Sequence, residues 1–167
     1  SSDVCSSDLD GTFVETTTEV LPHVPHASMG TDIGDVDNDG RLDLLATDMA
    51  GSTRSRRMIQ DQDTDRKRWF FEQSMPRQVP RNALYLATGA GRVFEAAFQA
   101  GVQATDWTWS PKFGDFDNDG WLDLFVANGM SRDFLDGDVL ARLRQPGHPG
   151  WLQEPVLRQA NLAFHNR

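Results

Sequence analysis

Two acidic segments of identical spacing carry the clearest chemical signal in the chain. They read Asp35-Val-Asp-Asn-Asp-Gly-Arg-Leu-Asp43 and Asp115-Phe-Asp-Asn-Asp-Gly-Trp-Leu-Asp123. Glycine after the third aspartate permits a sharp turn, so the carboxylates of such a loop converge on one point. Carboxylate and carbonyl oxygens are the ligands that hard cations prefer. We therefore predict two metal sites, with the ligands Asp35, Asp37, Asp39, the Arg41 carbonyl and Asp43, and Asp115, Asp117, Asp119, the Trp121 carbonyl and Asp123.

Calcium is the expected cation, with about two ions bound. Neither loop contains Cys or His, which disfavours zinc, and the many protein oxygens suit calcium better than magnesium. An EF-hand would need glutamate where the loops have Ala46 and Val126, and it would need flanking helices. Because the carboxylates repel one another, we expect a loop without a cation to show raised pKa values or to lose order.

The two loops belong to an internal repeat, because they lie 115 − 35 = 80 residues apart. The matching positions include Gly34 with Gly114, 42–44 with 122–124, and, at an offset of 79, 82–85 with 161–164. Repetition in the same register argues against two chance acidic turns.

Short strands are predicted throughout the unit 82–129. They cover 82–87, 93–97, 108–116 and 122–127, with a glycine turn at 88–92 and the acidic loop as a hairpin connection. Strands of this length in repeated units indicate an all-β fold of propeller blades or a β-solenoid. An ordinary β-sandwich is the alternative.

Two segments interrupt the repeat and are predicted to be inserted loops with short helices. The first is rich in Arg and Gln and includes a helix within 64–73. The resulting division of the chain is 10–49 as a partial repeat, 50–81 as an insert, 82–129 as a repeat, 130–160 as an insert and 161–167 as the start of a truncated repeat.

Composition limits the possible partners. The net charge is −9 and the pI is about 4.7, which argues against nucleic acid, and no apolar stretch is long enough to predict a membrane span. Residues 1–9 resemble a translated sequencing adapter and include Cys5, so the natural part of the chain is expected to lack cysteine and its true N-terminus.

The segment 114–128, preceded by Asn-Ala-Leu-Tyr at 82–85 and Gly-Arg-Val-Phe-Glu-Ala at 91–96, resembles the FG-GAP or VCBS-type repeat family. The chain is also similar to the ASPIC/UnbV-associated cartilage acidic protein family and to integrin α-subunit propellers. This resemblance implies about two blades of a seven-bladed propeller with short helical insertions and with calcium loops on one face. It also implies an extracellular, cell-surface or periplasmic location and a protein or glycan ligand.

No assembled catalytic centre is predicted. His23 and His26 are expected in a surface loop rather than as a metal pair, and His148 and His165 have no evident carboxylate partner. Trp107 and Trp109 are expected on one side of a strand. We therefore expect structural calcium in a binding protein rather than an enzyme. The alternative is a calcium-containing polysaccharide-degrading enzyme using Arg, His or Tyr, although Tyr85, the one tyrosine, is predicted to be a core residue.

Overall fold

The computed structural model describes residues 11–60, 76–133 and 136–167. Strands predominate there and the few helices are short, which confirms the predicted all-β class. Residues 1–9 and the helix predicted within 64–73 lie outside the described residues.

Short strands and a few helical segments follow one another along the described chain. In chain order they are α1 (Thr17–Val20), β1 (Val24–Pro25), β2 (Gly30–Gly34), β3 (Asp43–Thr47), β4 (Met49–Ala50), α2 (Arg54–Gln60), β5 (Gln78–Val79), β6 (Ala83–Ala87), β7 (Val93–Glu95), β8 (Asp106–Gly114), β9 (Asp123–Asn128), α3 (Gly137–Leu143), a 3-10 turn (Trp151–Gln153) and β10 (Leu162–Phe164).

The first sheet has the strand order β2-β3-β6-β7, with antiparallel pairing throughout. Leu44 lies opposite Tyr85, so β3 and β6 pair across the first insert. The turn between β6 and β7 contains Gly89 and Gly91, both with positive φ, a backbone conformation in which glycine is unstrained. The side chain and amide of Thr88 close this turn by donating to the Arg92 carbonyl.

The second sheet has the order β4-β8-β9-β10, again antiparallel. Its register shifts between Thr108 and Ser110, which makes Trp109 the extra residue of a β-bulge. The bulge breaks the alternation of side chains along β8. Trp107 is therefore buried while Trp109 is half-exposed, contrary to the expectation that both lie on one side of a strand.

The sequence unit 82–129 is divided between the two sheets. Its first two strands, β6 and β7, complete the first sheet, and its last two, β8 and β9, belong to the second. Each acidic hairpin is followed in the chain by an insert and then by a strand that pairs with the second strand of that hairpin. In this way β6 pairs with β3, and β10 pairs with β9.

Apolar residues from both sheets form one shared core. Leu45 and Leu84 of the first sheet pack in the same cluster as Leu124 and Val126 of the second. A smaller cluster of Ala46, Ala83 and Tyr85 lies in the first sheet. These contacts hold the two sheets, and so the two hairpins, in a fixed arrangement.

The segment after β9 has its own polar framework. The Asp136 side chain caps α3 by accepting hydrogen bonds from the amides of Asp138 and Val139. Buried Glu154 accepts from Arg142 at 2.7 Å and lies 3.0 Å from His148 Nε2. In the described parts of the chain, no helix is long and apolar enough to cross a membrane.

Candidate metal centre

The two acidic loops lie at equivalent positions, each joining the strands of a hairpin. Gly34 pairs with Asp43 at the end of β2 and β3, and Gly114 pairs with Asp123 at the end of β8 and β9. The strands thus deliver the first and last aspartates of each loop to the same end of the hairpin.

In the first loop the aspartates organise the backbone around themselves. Asp35 accepts hydrogen bonds from the amides of Asp39, at 3.0 Å, and Gly40, at 2.9 Å. Asp37 accepts from the Asp39 amide at 3.3 Å, and Asp39 accepts from the Arg41 amide at 2.9 Å. These short-range bonds wind the chain into a tight turn.

The second loop repeats this pattern bond for bond. Asp115 accepts from the amides of Asp119 and Gly120, Asp117 accepts from Asp119, and Asp119 accepts from the amide of Trp121, all between 2.9 and 3.2 Å. The two loops make the same hydrogen bonds although the residues between and after their aspartates differ. The spacing of the aspartates therefore determines the loop conformation.

Both loops place an asparagine and a glycine in the left-handed backbone region. The φ angles are +57° at Asn38 and +85° at Gly40, and +62° at Asn118 and +89° at Gly120. Asparagine and glycine tolerate this region best. The predicted role of the glycine as the turn residue is confirmed.

Three aspartates of each loop come together as potential ligands. Within the triad of Asp35, Asp37 and Asp39, and within that of Asp115, Asp117 and Asp119, one carboxylate oxygen from each residue lies within 4.8 Å of the others. Such convergence of oxygens suits a hard divalent cation.

The fourth aspartate of each loop is buried and hydrogen-bonded to backbone amides. Asp43 accepts from the amide of Val36 at 3.0 Å and from that of Ala87 at 2.9 Å. Asp123 accepts from the amides of Phe116 and Asn166 in the same way. These carboxylates therefore connect the loop to the adjacent strand or chain segment, and a ligand role for them stays a prediction.

The seventh residue of each loop distinguishes the two sites. Arg41 forms an ion pair with Asp39 and also donates from Nε to the Ala87 carbonyl at 2.8 Å. The second loop has Trp121 instead, whose side chain is 38% exposed. The predicted ligand role of the Arg41 and Trp121 carbonyls stays a prediction.

Asp37 is the triad carboxylate on which desolvation and neighbouring charges act together. Partial desolvation, followed by the charges of Asp39 and Asp43, raises the pKa of the Asp37 carboxyl above its ordinary value. A cation among these oxygens would favour the charged form and remove this unfavourable interaction.

His165 is a neighbour of the second loop that sequence reasoning missed. Its Nδ1 lies 3.2 Å from Asp123 Oδ1 and 3.3 Å from Asp117 Oδ2. The Asn166 amide, and to a smaller extent the Phe116 amide and His165, lower the pKa of the Asp123 carboxyl. The available signal was the repeat itself, since the 79-residue offset places His165 at the position of Leu86.

The expectation that His148 has no carboxylate partner was also wrong, and His23 likewise lies near a carboxylate. His148 contacts Glu154, and His23 Nε2 lies 3.7 Å from Glu95 Oε2. Because these partners are far away in sequence or lie in the second insert, no local pattern indicated them.

Hydrogen bonds also connect the two loops to each other. The Asn38 side chain donates to the Gly120 carbonyl at 3.1 Å. The Asn166 side chain donates to the carbonyls of Val36 and Leu122, at 2.7 and 3.2 Å. The two candidate sites are therefore adjacent parts of one surface.

A comparison with protein families identifies part of this arrangement. Residues 76–126 match the family model of an FG-GAP-like repeat. The matched segment runs from β5 into β9 and includes the second acidic loop. No curated protein and no solved structure matches the chain significantly.

The FG-GAP-like repeat thus contains the second loop, and the first loop reproduces its hydrogen bonds outside the matched segment. The finer resemblance to ASPIC/UnbV-associated proteins and to integrin α-subunits stays a prediction.

Proposed function

We propose that the chain is a calcium-binding FG-GAP-like segment of an extracellular or cell-surface β-propeller. The observation that carries this proposal is the repetition of one carboxylate cradle in two hairpins. The two triads share their spacing, their left-handed residues and their hydrogen bonds.

Calcium fits these loops for reasons of charge and geometry. Each loop offers several carboxylates on a short, curved backbone, and Ca²⁺ accepts six to eight oxygens in a flexible sphere. Desolvation, and after it the charges of Asp39 and Asp43, raises the pKa of Asp37, and a cation nearby would favour the charged form of this carboxyl. Calcium would cross-link the turn and make the hairpin rigid, which is a structural role rather than a catalytic one.

Propeller architecture accounts for two like sheets that pack against each other with their loops adjacent. The hydrogen bond from Asn38 to Gly120 supports the expectation that calcium loops lie on one face. The blade number of seven rests on the family resemblance alone. The proposed extracellular, cell-surface or periplasmic location has the same basis.

The proposed ligand is a protein or a glycan bound near these loops. Exposed aromatic side chains favour such contacts, and the second loop contains two, Phe116 at 58% exposed and Trp121 at 38% exposed. Trp109 in the β-bulge adds a third exposed aromatic ring on the strand leading to this loop.

The rival proposal, a polysaccharide-degrading enzyme, finds less support. Tyr85 is 2% exposed and its hydroxyl donates to the His23 carbonyl at 2.7 Å. Burial raises the pKa of this hydroxyl, which disfavours proton transfer near neutral pH. Cleavage of a polysaccharide by this chain would favour the rival, whereas binding without turnover would favour the present proposal.

Calorimetric titration of the whole chain with CaCl₂ tests the central point. We expect uptake of about two ions, with magnesium binding more weakly. The double variant Asp37→Ala, Asp117→Ala should lose both sites, and each single variant should lose one. Absence of calcium uptake by the folded wild-type chain would contradict the proposal.

A further inference from the structure

Among the residues that the structure describes, the end of β10 brings an imidazole into contact with carboxylates of the second loop. His165 follows β10 and lies at the position that Leu86 occupies at the end of β6. The neighbouring residue Asn166 holds this segment in place, because its amide donates to Asp123 and its side chain donates to the Leu122 carbonyl.

Three potential metal ligands meet there from two parts of the chain. His165 Nδ1, Asp117 Oδ2 and Asp123 Oδ1 all lie within 4.8 Å of one another. The nitrogen is 3.3 and 3.2 Å from the two oxygens. Ligands bound at about 2.0–2.1 Å to a tetrahedral ion are separated by about 3.3 Å, so these distances match the edges of such a site.

The two carboxylates are already oriented by their other hydrogen bonds. Asp117 accepts from the Asp119 amide through Oδ1, which leaves Oδ2 toward the imidazole. Asp123 accepts from the Phe116 amide through Oδ2, while Oδ1, which also accepts from the Asn166 amide at 2.9 Å, faces the imidazole; the side chain is only 6% exposed. Outer hydrogen bonds of this kind fix ligand direction in metal sites.

The first loop provides an internal comparison. It has no imidazole at the equivalent position, which Leu86 occupies; Leu86 packs against the core cluster that includes Leu45 and Leu84. A guanidinium group, that of Arg41, contacts its triad instead. The two loops therefore have the same aspartate oxygens, but among the described residues only the second has a histidine nitrogen next to them.

We propose that the second loop also binds a borderline divalent ion of the zinc class, through His165 Nδ1, Asp117 and Asp123, with solvent as the fourth ligand. Imidazole nitrogen with carboxylate oxygen is a donor set that zinc accepts and that calcium does not need. Since Asp117 and Asp123 are also proposed calcium ligands, zinc should compete with calcium at this loop and not at the first. This competition rests on the proposed calcium function, whereas zinc binding itself does not.

Calorimetric titration of the whole chain with zinc, in the absence of calcium, tests the site. We expect one ion at the second loop, and His165→Leu, which installs the side chain of the first loop, should weaken its binding at least tenfold. The matched control is His26→Gln, because His26 hydrogen-bonds Gln78 outside the loops. This control should bind zinc as the wild type does.

Calcium uptake measured on the same variants separates the two proposals. His165→Leu should still take up calcium at both loops, since its oxygens are unchanged. If the wild-type chain binds zinc but takes up no calcium, only the calcium function is contradicted. Failure of the wild type to bind zinc, or equal zinc affinity in His165→Leu, would overturn the zinc site.

A measurement on the wild type removes any dependence on folding of the variant. Zinc should shift the ring-nitrogen resonances of His165 in long-range ¹H–¹⁵N spectra, and Nδ1 should move more than Nε2. Shifts confined to the rings of His23, His26 or His148 would also overturn the assignment.

Discussion

At the scale of single residues, the aspartates of one loop differ in what they contact. Asp37 belongs to the converging triad, while Asp43 is 1% exposed and accepts hydrogen bonds from two backbone amides. A carboxylate held by backbone donors stabilises the fold with or without a cation. One in a repelling triad stabilises it chiefly when a cation is bound.

Asp37→Ala and Asp43→Asn should therefore respond differently to calcium. In saturating calcium, Asp37→Ala should lower stability by up to about 2.7 kcal/mol, the linkage free energy of a site at a hundred times its Kd, and in chelator it should change little. Asp43→Asn should already cost about 1–3 kcal/mol in chelator, because an amide nitrogen would face a backbone donor, and any further loss in calcium would report its role as a ligand. Thermal unfolding in calcium and in EDTA measures this, and equal losses for Asp37→Ala would contradict it.

The stability of the folded chain should depend on pH through His23. Burial, and after it the charge of Arg81, lowers the pKa of His23 below its ordinary value, although Glu95 opposes this. The folded chain thus binds a proton less readily than the unfolded chain, so stability is full above about pH 6.5 and falls as the pH decreases below it.

His23→Gln should reduce this loss of stability. Urea unfolding in chelator at about pH 7.5 and about pH 5.5 should show a smaller difference for the variant than for the wild type. The Tyr85 hydrogen bond to residue 23 involves the backbone carbonyl and is retained. His26→Gln is the control, and an unchanged pH difference in His23→Gln would refute the assignment.

At the scale of elements, the two acidic hairpins are linked through their loops. Asn38 donates across to the Gly120 carbonyl, so ordering of one loop by a cation should help to order the other. We expect positive coupling between the two calcium sites, with a modest magnitude because one neutral hydrogen bond contributes about 1 kcal/mol.

Asn38→Gly should weaken this coupling without disturbing the turn, since glycine accepts the positive φ of position 38. The ratio of the two calcium affinities, measured by calorimetry, should change about two- to fivefold. Asn118→Gly makes the same substitution in the other loop and provides the control. Equal effects of both variants would show that the cross-loop bond does not couple the sites.

At the scale of the whole molecule, the sequence predicted local features better than assembly. Strand positions, the turn at Gly89 and Gly91, and the loop glycines follow from residue type and spacing, and the structure agrees. The distribution of the unit 82–129 over two sheets depends on pairing between β3 and β6 across an insert, which no local pattern encodes. His165 was missed for the same reason, because its contact with Asp117 is made by separate chain segments.

The two sheets approach each other closely at two glycines of β2, Gly30 and Gly34. A Cβ atom at Gly30 would lie 2.5 Å from the Trp109 carbonyl oxygen and 2.8 Å from Pro111, whereas one at Gly34 would meet the flexible Leu122 side chain at 2.8 Å. Backbone and proline cannot yield as a leucine methyl can, so Gly30→Ala should lower stability by about 1–3 kcal/mol and Gly34→Ala by less. Chemical denaturation of both variants in chelator measures the difference. A larger loss for Gly34→Ala would mean that the sheets are held together elsewhere than along β2 and β8.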